Sequence, residues 1–127
     1  YANSINADLF ISIHQNSFSS ESAHGTEVYY TSKYPDAGYP AQDRDNKMNK
    51  SKTLAGVISG NIASGVGFTN RGAKDGNLFV LRNTKMPAIL VECGFQSNYP
   101  NVIKLSDGSA QEEIARQIVN GVRAVYK

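Results

Sequence analysis

Two short apolar segments, each ending in polar residues, constrain the fold of this chain more than any other feature. They are residues 9–14, which end in His14, and residues 88–93, which include Glu92. Apolar runs of this length, broken here only by Ser12, are typical of strands in a parallel α/β sheet, where both faces are covered. Because the carboxyl ends of such strands open into a shared crevice, we expect His14 and Glu92 at one edge of the sheet.

Strand and helix signals alternate along the rest of the chain, which predicts an α/β layer fold with a mostly parallel sheet. We expect strands at 9–14, 26–31, 78–81 and 88–93, and helices at 51–64, 98–105 and from 109 onward. Ser51 is the predicted N-cap of the first helix. Ser109 and Glu112 have the spacing of a capping box for the last helix. The polar segments 32–50 and 69–76 predict surface loops.

Length and composition limit the classes of function open to the chain. With 127 residues, of which 40% are apolar, it has the size of one domain. The net charge is only +2, and the basic segment 46–52 predicts a solvated loop, so nothing favours nucleic-acid binding. No apolar stretch approaches the length of a membrane span. The absence of P-loop, Gly-x-Gly-x-x-Gly, Gly-x-Ser-x-Gly and His-Glu-x-x-His motifs leaves kinases, dinucleotide enzymes and serine hydrolases without support.

The two residues predicted at the sheet edge suit hydrolysis, and each also has a structural interpretation. His14 is either an inert, hydrogen-bonded histidine or a metal ligand. Glu92 follows four apolar residues, so its carboxylate must form an ion pair, bind a metal or shift its pKa. Unless a structural ion pair holds it, Glu92 is placed to act as a general base.

Five further residues have side chains that can take part in chemistry. Asn16 is a candidate to orient a ligand or a substrate carbonyl, and Arg71 either anchors its loop or binds a substrate carboxylate. His24 is interpreted as a rim residue, and Glu27 as a sheet-edge or capping residue. Cys93, the sole cysteine, excludes an internal disulfide and is interpreted as a small buried side chain rather than a nucleophile.

Three segments, taken together, resemble the zinc-dependent N-acetylmuramoyl-L-alanine amidases of the amidase-3 type. They are residues 7–16 (ADLFISIHQN), residues 70–82, which begin NRGAK and end LFVLR, and residues 86–98 (MPAILVECGFQSN). The helix after Ser109 fits as well, so the resemblance covers nearly the whole chain in order. It implies a three-layer α/β domain, in which helices flank a twisted, mostly parallel sheet with one zinc ion at its C-terminal edge.

The resemblance implies hydrolysis of the amide between N-acetylmuramic acid and L-alanine in bacterial peptidoglycan. His14 matches a zinc-binding histidine of the family, and Glu92 matches its catalytic glutamate. Arg71 and Asn16 are candidates for substrate contacts. The family's other zinc ligands, a histidine and a glutamate, belong before Tyr1. Residues 1–127 are therefore expected to form the C-terminal two-thirds of one catalytic domain, without its N-terminal strand and helix.

Under this interpretation the protein is a secreted, autolysin-type hydrolase of the cell wall. Its partners are peptidoglycan and the remainder of its own domain, and neither nucleic acid nor a membrane span is expected. Two alternatives remain open. The absence of the other zinc ligands favours a truncated domain that binds peptidoglycan without cutting it. The same layer fold also suits a metallopeptidase, with segment 32–50 shaping a different pocket.

Overall fold

The chain folds into an α/β layer structure, as its alternating strand and helix signals predict. The computed structural model describes residues 1–34 and 39–126. In chain order, the elements of these residues are β1 (Phe10–Asn16), β2 (Thr26–Tyr30), α1 (Ala41–Val66), β3 (Asn70–Asp75), α2 (Phe79–Arg82), β4 (Ala88–Phe95), α3 (Tyr99–Leu105) and α4 (Gly108–Val125). In this described part of the chain, no helix is long and apolar enough to cross a membrane.

The described strands form a mixed sheet in the order β1-β4-β2-β3. β1 is parallel to β4, and β2 is parallel to β3, so the prediction of a mostly parallel sheet is confirmed. At the centre of the sheet, however, β2 runs antiparallel to β4. The first residues of β2 therefore lie beside the last residues of β4, at the same edge of the sheet as the end of β1.

The main apolar core lies between the sheet and the two long helices, α1 and α4. Its fully buried side chains are Val28, Leu54, Ala55, Ile58, Ile62, Ile89 and Val91. A smaller cluster contains Leu81, Ala88 and Leu90. Because side chains alternate between the faces of a strand, β4 contributes Ile89 and Val91 to one cluster and Ala88 and Leu90 to the other. Both faces of β4 are thus covered, which explains its uninterrupted apolar sequence.

Helix α1 is longer than the sequence pattern predicts. It begins at Ala41, and Pro40 is its N-cap, so the predicted start at Ser51 is wrong. Most of the predicted loop 32–50 is consequently helical, including the basic segment, while residues 35–38 lie outside the described residues. The early turns mix strong helix formers, such as Arg, Lys and Met, with weak ones, Asp and Asn, and they carry no continuous apolar stripe by which to recognise them.

Three other local predictions are wrong. The polar segment 69–76 contains edge strand β3, where exposure permits polar side chains and removes the apolar signal. Residues 78–81, predicted as a strand, contribute to helix α2, because periodicity does not separate helix from strand in so short a run. The cap of α4 is Asp107, whose Oδ1 accepts a hydrogen bond from Ser109 N at 3.0 Å. This acceptor, placed before the helix, replaces the predicted capping box.

A buried lysine ties α1 to the end of α2. Lys47 is 3% exposed, and its Nζ donates hydrogen bonds to the carbonyl oxygens of Leu81, at 2.6 Å, and Thr84. The ammonium also lies 5.7 Å from the centre of the Tyr34 ring. Burial lowers the pKa of Lys47 from its ordinary 10.5 to about 8, because desolvation disfavours the charged form.

The Lys47→Met variant is expected to change how the free energy of unfolding depends on pH. Between about pH 8 and 10.5 the unfolded chain keeps the Lys47 proton that the folded chain has released, so this residue makes stability rise with pH. We expect urea unfolding at pH 7.5, 8.5 and 9.5 to show a smaller rise in the variant than in the unmodified protein. Curves that run parallel for the variant and the unmodified protein would contradict the assigned pKa, because methionine has no proton to release in this pH range.

Candidate functional site

Three ionisable residues lie side by side on neighbouring strands at one edge of the sheet. His14 of β1 is paired with Glu92 of β4 in the parallel register. Glu92 is in turn paired with Glu27 of β2 in the antiparallel register. The predicted proximity of His14 and Glu92 is therefore confirmed, and Glu27 is an additional member of the group.

Glu92 is half-buried and carries an unpartnered oxygen. Its Oε2 is buried and has no hydrogen-bond partner among the described residues. The ion pairs in the described part of the chain join Arg71 to Glu27 and Arg116 to Glu113, so they do not account for Glu92. Burial raises the pKa of Glu92; His14 lowers it, and Glu27 raises it further. These features favour a carboxylate that exchanges protons over one held in a structural ion pair.

His14 presents an exposed imidazole beside this carboxylate. Its Nε2 lies 2.8 Å from the hydroxyl oxygen of Ser12, two residues earlier on the same strand. Among the described residues, no group of three His, Cys, Asp or Glu side chains is arranged to hold a metal ion. Zinc sites normally use three or four protein ligands. His14 and the unpartnered Glu92 oxygen suit such an ion chemically, but by themselves they do not complete its site.

The position of Glu27 corrects the sequence interpretation. Glu27 is 3% exposed and lies on β2, an interior strand, so the predicted role on an edge strand or at a cap is wrong. Its Oε1 accepts hydrogen bonds from Asn16 Nδ2 at 2.7 Å and Tyr29 OH at 3.2 Å. Its Oε2 accepts one from Arg71 Nε at 3.3 Å. The sequence signal for a hydrogen-bonded, buried Glu27 is its position between Thr and Val in a predicted strand. A carboxylate buried in an interior strand requires partners.

The two candidates for substrate contacts, Arg71 and Asn16, converge on Glu27. Arg71 Nη1 also lies 3.5 Å from the carbonyl oxygen of His24, and Cζ lies 4.9 Å from the centre of the Phe95 ring. The loop-anchoring interpretation of Arg71 is thus supported, although the residue lies on β3 rather than in a loop. Asn16 uses its amide nitrogen for Glu27 and its Oδ1 for the backbone N–H of the next residue.

Two other residues occupy the positions predicted for them. His24 is exposed in the loop before β2. Cys93 is buried, and burial raises the pKa of its thiol to about 11. A thiol with this pKa carries almost no thiolate at neutral pH, so a role as a nucleophile has no support.

The sequence of this chain matches a known protein family along almost its whole length. Residues 1–124 match the amidase-3 family, described as N-acetylmuramoyl-L-alanine amidase. The chain belongs to this family. The family resemblance noted from residues 7–16, 70–82 and 86–98 is thereby confirmed.

Curated relatives and solved structures agree with this family membership. The N-acetylmuramoyl-L-alanine amidase LytC of Bacillus subtilis (strain 168) is 34% identical over 126 residues, which are 99% of this chain. The catalytic domain of CwlV, an N-acetylmuramoyl-L-alanine amidase from Bacillus (Paenibacillus) polymyxa var. colistinus, is 35% identical, with a TM-score of 0.76 over 95% of this chain. An N-acetylmuramoyl-L-alanine amidase from Clostridium difficile 630 is 34% identical, with a TM-score of 0.79 over 97%.

This amidase-family chain is shorter than the proteins it matches. It spans 23% of LytC, 59% of the CwlV domain chain and 60% of the C. difficile amidase chain. The fold of this portion, a mixed sheet flanked by helices, agrees with the two solved amidases. At the site, this portion has the exposed histidine His14, the carboxylate of Glu92 with its raised pKa, and Arg71, which contacts the buried Glu27.

Proposed function

We propose that the protein containing this chain hydrolyses the amide between N-acetylmuramic acid and L-alanine in bacterial peptidoglycan. Residues 1–127 would form part of its single catalytic domain. The observation that supports the proposal most directly is the buried, unpartnered Oε2 of Glu92 beside His14, in a chain of the amidase family. Because the substrate lies in the cell wall, the protein is placed outside the cytoplasmic membrane, as a secreted autolysin-type enzyme.

We assign His14 as one ligand of a zinc ion whose other protein ligands lie outside residues 1–127. Its exposed imidazole lies next to Glu92, where metal and base must meet for hydrolysis. Hydrogen bonding of the second ring nitrogen is what normally orients a ligating histidine, and Ser12 is the hydroxyl within reach. When bound, zinc supplies Lewis-acid polarisation of a carbonyl and lowers the pKa of a bound water.

Glu92 is assigned as the general base and then the general acid. Its Oε2 accepts a proton from the attacking water as the new C–O bond forms at the scissile carbonyl. The same proton passes to the amide nitrogen as the C–N bond breaks, which releases the stem peptide with an amino terminus. Burial raises the pKa of Glu92, which makes its carboxylate a better base than an exposed glutamate. The neighbouring His14 opposes this effect and favours the ionised form.

One observation favours a second candidate function. Because the described residues contain no group of three side chains arranged to hold a metal, a non-catalytic domain that binds peptidoglycan would also account for this chain. The two functions differ in metal content and in turnover. The metallopeptidase alternative differs from both in cleaving peptides that lack a muramoyl group.

Zinc content, measured by elemental analysis, and cleavage of two substrates together test the proposal. Both are measured on residues 1–127 and on an extended domain that includes the residues preceding Tyr1 in the parent protein. We expect about one zinc per molecule only in the extended domain, with cleavage of a muramoyl peptide and not of the same peptide without its muramoyl group. An extended domain without zinc that binds peptidoglycan would establish the non-catalytic alternative. Equal cleavage of the plain peptide would establish the peptidase.

A further inference from the structure

The buried carboxylate of Glu27 holds the side chains of Asn16, Tyr29 and Arg71 next to Glu92. One of its oxygens accepts hydrogen bonds from Asn16 and Tyr29, and the other accepts from Arg71. A carboxylate that is 3% exposed is costly unless it is paired and hydrogen-bonded. Asn16 and Tyr29 on one oxygen and Arg71 on the other together meet this requirement. The contacts also hold the arginine in one orientation relative to β2.

The way in which Arg71 meets Glu27 is unusual for an arginine–carboxylate pair. The contact is made through Nε at 3.3 Å, rather than through two parallel N–H groups. A guanidinium carries five N–H donors. Within the described residues, Nε serves Glu27 and Nη1 reaches the His24 carbonyl only at 3.5 Å. The outer end of the guanidinium therefore keeps donors that these contacts do not use.

The surroundings of Arg71 hold its guanidinium in place while leaving it accessible. Its side chain is 37% exposed, and Cζ lies 4.9 Å from the centre of the Phe95 ring, a side chain that is itself 2% exposed. The rigid ring on one side and the buried carboxylate on another limit the rotamers of the arginine. An arginine fixed in this way loses less entropy on binding a ligand than an unrestrained one.

The charge of the site indicates which ligand would need this arginine. Glu27 and Glu92 are paired across adjacent strands, so the site presents two acidic groups. A substrate that carries a carboxylate would be repelled by them unless a cation received it. Arg71 contacts Glu27, one member of this acidic pair, and its open donors suit a carboxylate.

We propose that Arg71 recognises a carboxylate of the stem peptide and that Glu27 is the positioning residue that presents it. The inference rests on the proposed function and adds a substrate preference: muramoyl peptides with free carboxylates are cleaved faster than their carboxamides. A charged hydrogen bond that is lost on amidation corresponds to about 10- to 100-fold in kcat/KM. Asn16 donates to Glu27 through Nδ2 and accepts the backbone N–H of Ser17 through Oδ1, so it helps to hold Glu27 in place.

The test compares two substrates on the extended domain. One is N-acetylmuramoyl-L-alanyl-D-glutamate, and the other is the same compound with both carboxylates converted to carboxamides. We expect the unmodified domain to favour the acid by about 10-fold or more in kcat/KM. Arg71→Met should bring the ratio close to unity, mainly by raising KM for the acid, and Arg71→Lys should restore part of it. Glu27→Gln should lower the ratio while the domain stays folded.

Arg82→Met is the matched control, because Arg82 also lies over a phenylalanine ring but outside the site. Its Cζ is 5.8 Å from the centre of the Phe79 ring, and its Nη1 donates to Asn77 Oδ1 at 2.7 Å. We expect this variant to keep the substrate ratio of the unmodified domain. A melting curve for each variant shows whether it is folded, and so separates loss of recognition from loss of fold. If Arg71→Met does not fold, the substrate ratio of Arg71→Lys is used instead, and it should lie below that of the unmodified domain.

The possible outcomes separate this inference from the proposed function. If the unmodified extended domain cleaves neither compound, the amidase proposal fails, and the substrate preference fails with it. If it cleaves acid and carboxamide equally, only the preference is wrong. A folded Arg71→Met domain that keeps the ratio of the unmodified domain would also overturn the assignment of Arg71. An unchanged ratio in folded Glu27→Gln would overturn the positioning role of Glu27 alone.

Discussion

Glu92→Gln in the extended domain is expected to lower kcat on a muramoyl peptide by about 10²- to 10⁴-fold, the range for loss of a general acid–base group. Glutamine preserves the volume and shape of the side chain, but it does not accept a proton from water at neutral pH. The Oε2 atom of Glu92 is buried and unpartnered in the described structure, so the variant breaks no hydrogen bond of that oxygen. The effect should therefore appear in turnover and not in folding.

Steady-state kinetics and zinc content, measured on the same preparation, check this expectation. Glu112→Gln is the control, because Glu112 is an exposed glutamate on α4 and does not belong to the group of His14, Glu27 and Glu92. It should leave kcat unchanged. A folded Glu92→Gln domain with the activity of the unmodified enzyme would show that another group moves the proton.

Ile58→Ala is expected to lower the free energy of unfolding by about 2–5 kcal/mol, the range for truncating a buried isoleucine to alanine. Ile58 is fully buried in the core that α1 shares with the sheet and α4. It faces Gly121 of α4 so closely that a Cβ on that glycine would lie 2.5 Å from Ile58 Cγ1. The glycine lets the two helices approach, and the isoleucine fills the space that results. Truncation leaves a cavity between two elements that cannot easily collapse.

Urea unfolding of the extended domain measures this change. Val119→Ala on α4 is the control, because Val119 is 46% exposed and its truncation opens no cavity. We expect that variant to lie within about 0.5 kcal/mol of the unmodified domain. A loss below about 1 kcal/mol for Ile58→Ala would show that the contact between α1 and α4 contributes less than its burial indicates.

The sequence was most informative where both faces of a strand are buried. Residues 88–93 carry an apolar run that ends at Glu92, and they are part of β4. In β4 the signal is strong because burial on two faces excludes polar residues until the strand reaches the site. The apolar residues of β1 also predicted a strand that brings His14 beside Glu92, but the expected burial of both faces is wrong there, because β1 is only partly buried and Ile13 is 60% exposed.

The sequence was least informative where exposure removes the apolar pattern. Strand β3 is polar and lies at the sheet edge, and the first turns of α1 have no continuous apolar stripe. Lys47 illustrates the difficulty, because its place in a basic segment indicates solvent, whereas its ammonium is buried against two carbonyl groups. Only the tertiary contact of Lys47 with the carbonyl groups of Leu81 and Thr84 determines that burial.

By itself, the sequence determined the α/β class, the membership of the amidase family and the proximity of His14 to Glu92. Only the tertiary structure showed that Glu27 lies beside Glu92 and contacts Arg71. Local residue patterns carry no information on whether β2 runs parallel or antiparallel to β4, since strand direction depends on how distant segments pack. The antiparallel pairing brings the first residues of β2 to the end of β4, and so places Glu27 and its partner Arg71 in the site.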